Sequence, residues 1–203
     1  MRPEAIIRDG LHALGIPATD AQVALMAFHM DELIRWGRTH NLTALRDPNE
    51  IAVKHMLDSC LYLRAIGPEV RSIADIGTGA GFPGVPIKIL RPEIEVYLIE
   101  PAKKKCAFLR HIIRKLDLTG ITVIERRVAE VTGVAVDVAV TRALYSVSAF
   151  ITEARGIVSP GGAFVLNKGP RYKEETEGVS CEVMDVALPH SGGAVRHIIK
   201  ARI

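Results

Sequence analysis

The sequence predicts an α/β fold, a mostly parallel sheet covered by helices, with a helical N-terminal extension. Three observations predict it. From Arg71 onward, short apolar runs alternate with amphipathic helical stretches. The runs are apolar on nearly every residue, as strands buried on both faces must be. A glycine-rich loop separates the first run from the helix after it. Right-handed crossovers then gather the strands' carboxyl ends at one edge, where ligands of such sheets bind.

The expected division is residues 1–66 for the extension and 67–203 for the α/β domain. Thr19-Asp20 precede a helix reaching about Thr39, with Val23, Met26, Ala27, Met30 and Ile34 on one stripe. A second helix opens at Asp47, an N-cap, with Pro48 at the first helical position and Glu50 placed for a capping box. Within it Val53, Met56, Leu57, Cys60 and Leu61 follow helical spacing, and Gly67-Pro68 close the helical part. Strands are expected at 72–76, 95–100, 121–124, 134–140 and 163–166. Between them lie a short helix ending near Leu90, a helix over 102–116, and one with Val147, Phe150, Ile151, Ala154, Ile157 and Val158 inward. Two further strands are expected at 182–187 and 195–199, split by Pro189 and Gly192-Gly193.

Composition narrows the function. At 203 residues, 48% hydrophobic and 24% charged, the chain can bury a core without disulfides or a structural metal. A net charge of +3 excludes a histone-like binder, so any nucleic-acid surface is a local patch. Cys60, Cys106 and Cys181 form no C-x-x-C pair, which points to a reducing cytosol and away from a cysteine zinc site. No apolar run is long enough to cross a bilayer, and Glu4, Arg8 and Asp9 interrupt any signal-peptide core. The expected protein is cytoplasmic and, lacking heptads, a monomer without metal or membrane partner.

The most informative stretch is Asp75-Ile76-Gly77-Thr78-Gly79-Ala80-Gly81-Phe82-Pro83-Gly84. Glycines there let backbone approach a ligand closely. Gly79, Gly81 and Gly84 also spell G-x-G-x-x-G, the dinucleotide fingerprint. Pro83 and Pro86, however, stand where the long helix of an NAD site should begin, and Asp75 before Gly77 resembles the first motif of S-adenosyl-L-methionine (SAM) methyltransferases. SAM, NAD and a plain tight turn stay open on this loop, in that order. Glu100 ends the second strand, where a carboxylate accepts ribose hydroxyls or caps the next helix; SAM and NAD both predict it. Thr141-Arg142 and Asn167-Lys168-Gly169 end the fourth and fifth strands and point to the same mouth. Lys103, Lys104, Lys105, Arg110, His111, Arg114 and Lys115 make the helix after Glu100 basic, either a solvated face or a phosphate track. Arg35, Arg38 and Arg46 offer an alternative track. There is no G-x-S-x-G elbow, P-loop or i, i+4 histidine pair.

Asn41-Leu42-Thr43-Ala44-Leu45-Arg46-Asp47, His55-Met56-Leu57-Asp58-Ser59 and the Asp75–Gly84 loop together resemble the bacterial 16S ribosomal RNA guanine-N7 methyltransferase family, also called glucose-inhibited division protein B. Arg127-Val128-Ala129-Glu130, Thr141-Arg142-Ala143 and Leu166-Asn167-Lys168-Gly169 extend the likeness over about residues 20 to 170. The resemblance implies a class I, Rossmann-like SAM-dependent methyltransferase acting on guanine N7 in 16S rRNA or the small ribosomal subunit. It implies SAM contacts at Gly77, Phe82, Ala129, Glu130 and Arg142, to which the reading of the loop and the second strand adds Asp75, Gly79, Gly81 and Glu100. It places Asn41 and His55 near the reacting centre, where the strand-end reading adds Arg142 and Lys168 as candidate catalytic residues. Phe82 and Asn167 depart from the smaller aliphatic residues the family often has there. Two other functions stay open: a SAM methyltransferase for a small molecule, and a nucleotide-binding module without catalysis. Guanine N7 keeps a free lone pair at neutral pH, so the absence of an obvious catalytic base fits the first reading.

Overall fold

The computed structural model describes residues 2–142 and 145–202; Ala143 of the resemblance lies outside them. Two helices open the chain, α1 (Pro3–Ala13) and α2 (Asp20–Gly37). α2 starts on a complete capping box: Thr19 Oγ1 accepts from the Gln22 amide, and Gln22 Oε1 accepts from the Thr19 amide at 2.9 Å. Such a cap contributes about 1 kcal/mol. α3 (Pro48–Ile51) starts on Asp47, whose carboxylate accepts from the Glu50 amide at 2.9 Å. The Glu50 carboxylate turns outward to Lys54 instead of completing the expected box. The helix continues through a π-helical stretch (Ala52–Leu57), α4 (Asp58–Cys60) and a closing 3-10 turn (Leu61–Arg64). Val53, Met56, Leu57, Cys60 and Leu61 are all buried, as their spacing requires.

Seven strands form one sheet in the order β3-β2-β1-β4-β5-β7-β6. β1 (Ser72–Ile76), β2 (Glu95–Ile99), β3 (Ile121–Ile124), β4 (Val136–Arg142) and β5 (Val158–Lys168) run parallel. β6 (Cys181–Ala187) and β7 (Val195–Arg202) form a hairpin that seats β7 antiparallel against β5. The crossovers are α5 (Gly84–Leu90), α6 (Lys103–Lys115) and α7 (Val147–Ala154); α8 (Tyr172–Thr176), which the sequence does not announce, follows β5. β5 begins five residues before the expected strand: Val158 already pairs with Val136, and 159–162 bulge out before Ala163 pairs with Val138. Strand order reverses between β1 and β4, which makes that crevice the switch point where ligands bind.

The extension and the sheet share one core. On one sheet face Ile7, Leu11, Met26 and Leu57 join Val138, Val140 and Val165 in a continuous cluster. α7 covers the other face with Val147, Phe150 and Ala154. The buried Tyr62 hydroxyl donates to the Thr141 carbonyl at 2.5 Å, fixing the extension over the end of β4.

Candidate active site

The carboxyl edge of the sheet collects the loop after β1, Glu100 after β2, Val128–Glu130 after β3, and the ends of β4 and β5. Asp75, fully buried, shapes the loop: its Oδ2 accepts from Thr78 Oγ1 at 2.6 Å and from the Gly84 amide at 2.7 Å, while Oδ1 has no partner. Only glycine fits at 84, since a Cβ would lie 2.4 Å from Leu98 Cδ2 and 2.9 Å from Asp75 Oδ2. Gly77, Gly79 and Gly81 hold positive φ angles of 70°, 63° and 94°. Gly79 donates its amide to Glu100 Oε2 at 3.0 Å, and the other Glu100 oxygen accepts from the Ala102 amide at 3.0 Å. Glu100 is therefore both a cap for the segment leading into α6 and a carboxylate beside the loop.

At the other end of the loop stands a pile of rings. Phe82 is stacked between His29 and His55, each with its centroid 4.8 Å away and nearly parallel, at 13° and 24°. The Arg142 guanidinium lies 5.4 Å from the Phe82 centroid. It donates to the Lys54 carbonyl at 2.8 Å and sits 3.7 Å from Asp58 Oδ2. Asp58 in turn accepts from Arg196 Nε of β7 at 2.7 Å.

His55 is held as a neutral ring. Its Nδ1–H donates to the Lys54 carbonyl at 3.2 Å, which leaves Nε2 to accept from Thr43 Oγ1 at 2.8 Å. Burial, helped by the nearby Arg142 cation, lowers its pKa to about 3. With both nitrogens engaged and no proton affinity near neutrality, His55 is not a base; it is a flat, oriented surface beside Arg142.

A loop whose backbone faces open space, a carboxylate at the end of β2 and a stacked, cationic corner beside β4 suit a charged nucleoside ligand. The family model described as rRNA small subunit methyltransferase G (GidB) matches residues 22–198. The chain belongs to the GidB family. It is 33% identical over 210 residues to "Ribosomal RNA small subunit methyltransferase G" of Geobacter sp. (strain M21), covering 97% of this chain and 96% of the relative. The protein of the same name from Geobacter metallireducens is 36% identical over 206 residues, covering 95% and 93%. The fold is also that of a SAM-dependent methyltransferase from Aquifex aeolicus (TM-score 0.57, 19% identity, 80% and 97% covered). A T. thermophilus 16S rRNA N2 methyltransferase, solved with AdoMet and guanosine, is similar in fold (TM-score 0.56, 22% identity, 73% and 42% covered).

Within this GidB chain the structure brings together Asp75, the three loop glycines and Glu100 at one end, and Phe82, His55 and Arg142 at the other. The remaining candidates stand apart. Ala129 and Glu130 lie exposed on the 3-10 turn after β3, where Glu130 accepts from the Arg127 amide at 3.4 Å. Asn41 is exposed in the loop after α2. Lys168 leaves the cluster: it pairs with Glu175 at 2.6 Å and donates to the Tyr145 carbonyl. Its neighbour Asn167, opposite Arg142 in the register, is the one on the Arg142 face, donating to the Asp58 carbonyl at 3.4 Å. Sequence reasoning gave no role to His29, Thr43, Asp58 or Arg196. A histidine on the buried stripe of α2, three residues after Met26, was the available signal for the first. The basic helix is also less free than its sequence suggests: Arg110 pairs with Glu125 at 2.8 Å, His111 with Glu32 at 2.5 Å, and Lys105 lies 3.7 Å from Glu100.

Three buried groups give the site a pH signature. Burial lowers His29 to about 4 and raises Asp75 to about 7, the latter against the hydrogen bonds from Thr78 and Gly84. Between about pH 4 and 6.5 the unfolded chain holds a proton on each of His29 and His55 that the folded chain lacks, while folded Asp75 holds one that the unfolded chain lacks. The net difference is one proton, so these groups make stability fall as pH drops from 6.5 to 4. His55→Phe removes one histidine from the balance. Urea melts at pH 4.5, 5.5 and 6.5 should give a flatter profile for that variant than for wild type; parallel profiles would refute the assignment.

Proposed function

We propose that the protein transfers the methyl group of SAM to N7 of a guanine in 16S rRNA, in the bacterial cytoplasm, with residues 67–203 as the methyltransferase domain and 1–66 as its helical extension. The observation that carries this reading is the neutral, fully hydrogen-bonded His55 stacked on Phe82 beside Arg142, a mouth built to align an aromatic ring without removing a proton from it. Membership of the GidB family supports the substrate.

The residues present suit SAM. Beyond the loop itself, the space above Gly79 is open: the nearest atom to a Cβ there is the Gly77 carbonyl at 3.9 Å. Gly77 and Gly79 would bring backbone against the ligand, while Gly81, packed against Val85 and Leu109, lets the loop turn; the Glu100 oxygens, each with a lone pair left over, would accept from the ribose hydroxyls. Ala129 and Glu130 would flank the adenine. SAM held there would supply an electrophilic methyl carbon for the N7 lone pair. His55 and Arg142, backed by the buried Phe82, then have one task, to hold the purine in line with that carbon, and alignment of this kind supplies several kcal/mol of the barrier. Asn41 and Lys168 are assigned to the RNA around the target base rather than to the transfer itself.

Methyl-labelled SAM incubated with small ribosomal subunits, naked 16S rRNA and a metabolite extract tests the reading. Label is expected only in the rRNA-containing fractions, at a guanine that borohydride and aniline then cleave. Label confined to the metabolite fraction would replace it with a small-molecule methyltransferase, and no transfer at all with a binding module.

A further inference from the structure

Two basic surfaces compete for the RNA. α6 follows β2, so it starts at the mouth and runs back along the sheet toward the opposite edge. At 1.5 Å per residue its far basic residues lie roughly 16–18 Å from Lys103. Lys105, Arg110 and His111 already face acids within the chain. Its row of charge therefore leads away from the reacting corner.

The extension offers the opposite arrangement. Between the end of α2 and the loop after it lies a cavity of about 340 Å³. Leu33, Ile34 and Leu45 make it apolar, Arg38 and Arg46 stand at it, and Thr43 forms part of its wall. Arg46 Nη1 donates to the Gly37 carbonyl at 2.9 Å, which fixes its guanidinium there. Arg38 is exposed, and neither arginine faces a carboxylate among the described residues. Thr43 is the same residue that hydrogen-bonds His55, so one side chain separates this cavity from the stacked corner. The volume is at the small end of ligand pockets and suits one nucleobase with its sugar. Single-stranded RNA is recognised in this way, by splayed bases seated on apolar surface with phosphates on arginine.

We propose that this cavity takes a nucleotide flanking the target guanine, its base against Ile34 and Leu45, which Leu33 backs from the core, and its phosphate on Arg38 and Arg46. The inference rests on the rRNA reading above and adds where the strand runs: over the extension, not along α6.

The test uses the whole protein and small-subunit rRNA as the probe. Arg38→Glu should raise KM for rRNA about tenfold, leave SAM affinity unchanged, and lower the salt slope of RNA binding by about 0.7, the share of one phosphate on a single strand. Ile34→Trp fills the cavity without changing charge, and should raise KM while keeping the slope. The double variant Arg114→Glu/Lys115→Glu, at the far end of α6, should keep both near wild type. Wild-type KM and slope in Arg38→Glu, or their loss in the Arg114/Lys115 variant alone, would overturn the subsite while RNA methylation by wild type stands. A wild-type protein that methylates no RNA would overturn the functional reading, and the subsite with it.

Discussion

Gly79→Val should fold and lose SAM affinity by about a hundredfold or more, because a side chain there enters the space that the loop leaves for the ligand. The position has φ of 63° and no protein atom nearer to a Cβ than 3.9 Å, so nothing in the fold needs that space empty. Forcing a residue with a Cβ into left-handed backbone costs about 1–2 kcal/mol, which a domain of this size tolerates. The contrast is Gly84, where a Cβ would meet Leu98 and Asp75 inside the core and the expected damage is to folding. Calorimetry on Gly79→Val with a melting temperature close to wild type separates the two effects. Unchanged SAM affinity in that variant, or tight NAD binding by the native protein, would dismiss the loop as the SAM cradle.

The fold was legible where the local pattern is two-sided. β1 lies where its apolar run ends, since a strand buried on both faces leaves little choice of boundary; β3, at the sheet edge and only half-buried, also keeps the bounds of its run. The first half of β5 escaped because Pro160-Gly161-Gly162 breaks the apolar run; it forms a bulge between the pairings of Val158 and Ala163 with β4. The site divides in the same way. The glycine loop and Glu100 were readable because each follows directly on a strand, and that adjacency alone puts them at the mouth. Lys168 faces away from Arg142. Strand alternation puts Asn167 with Val165 on the Arg142 face, and Lys168 with Leu166 on the other, where Glu175 meets it. The Asp58–Arg196 pair was beyond local pattern altogether: it spans 138 residues, and it forms only because the terminal hairpin inserts β7 beside β5.

That pair gives the second large effect. Asp58 is 4% exposed, with one carboxylate oxygen 2.7 Å from Arg196 Nε and the other 3.7 Å from Arg142 Nη1. Asp58→Ala leaves two guanidinium groups facing each other around a void. Breaking a buried pair costs about 3–5 kcal/mol, and because both arginines keep some contact with water the expected loss is nearer about 2–3 kcal/mol. In a chain of this length that lowers Tm by about 5–10 °C. Methyl transfer should fall further than stability does, since Arg142 loses the charge that holds it over Phe82. Asp58→Asn keeps the shape and removes only the charge, so it should fold better than Asp58→Ala while sharing the loss of turnover. Arg196→Ala relieves the repulsion between the arginines once Asp58 is gone, so the double variant Asp58→Ala/Arg196→Ala should cost less than the two single changes added together. Strict additivity, or full turnover in Asp58→Asn, would mean that β7 has no hold on Arg142 and that the hairpin only closes the edge of the sheet.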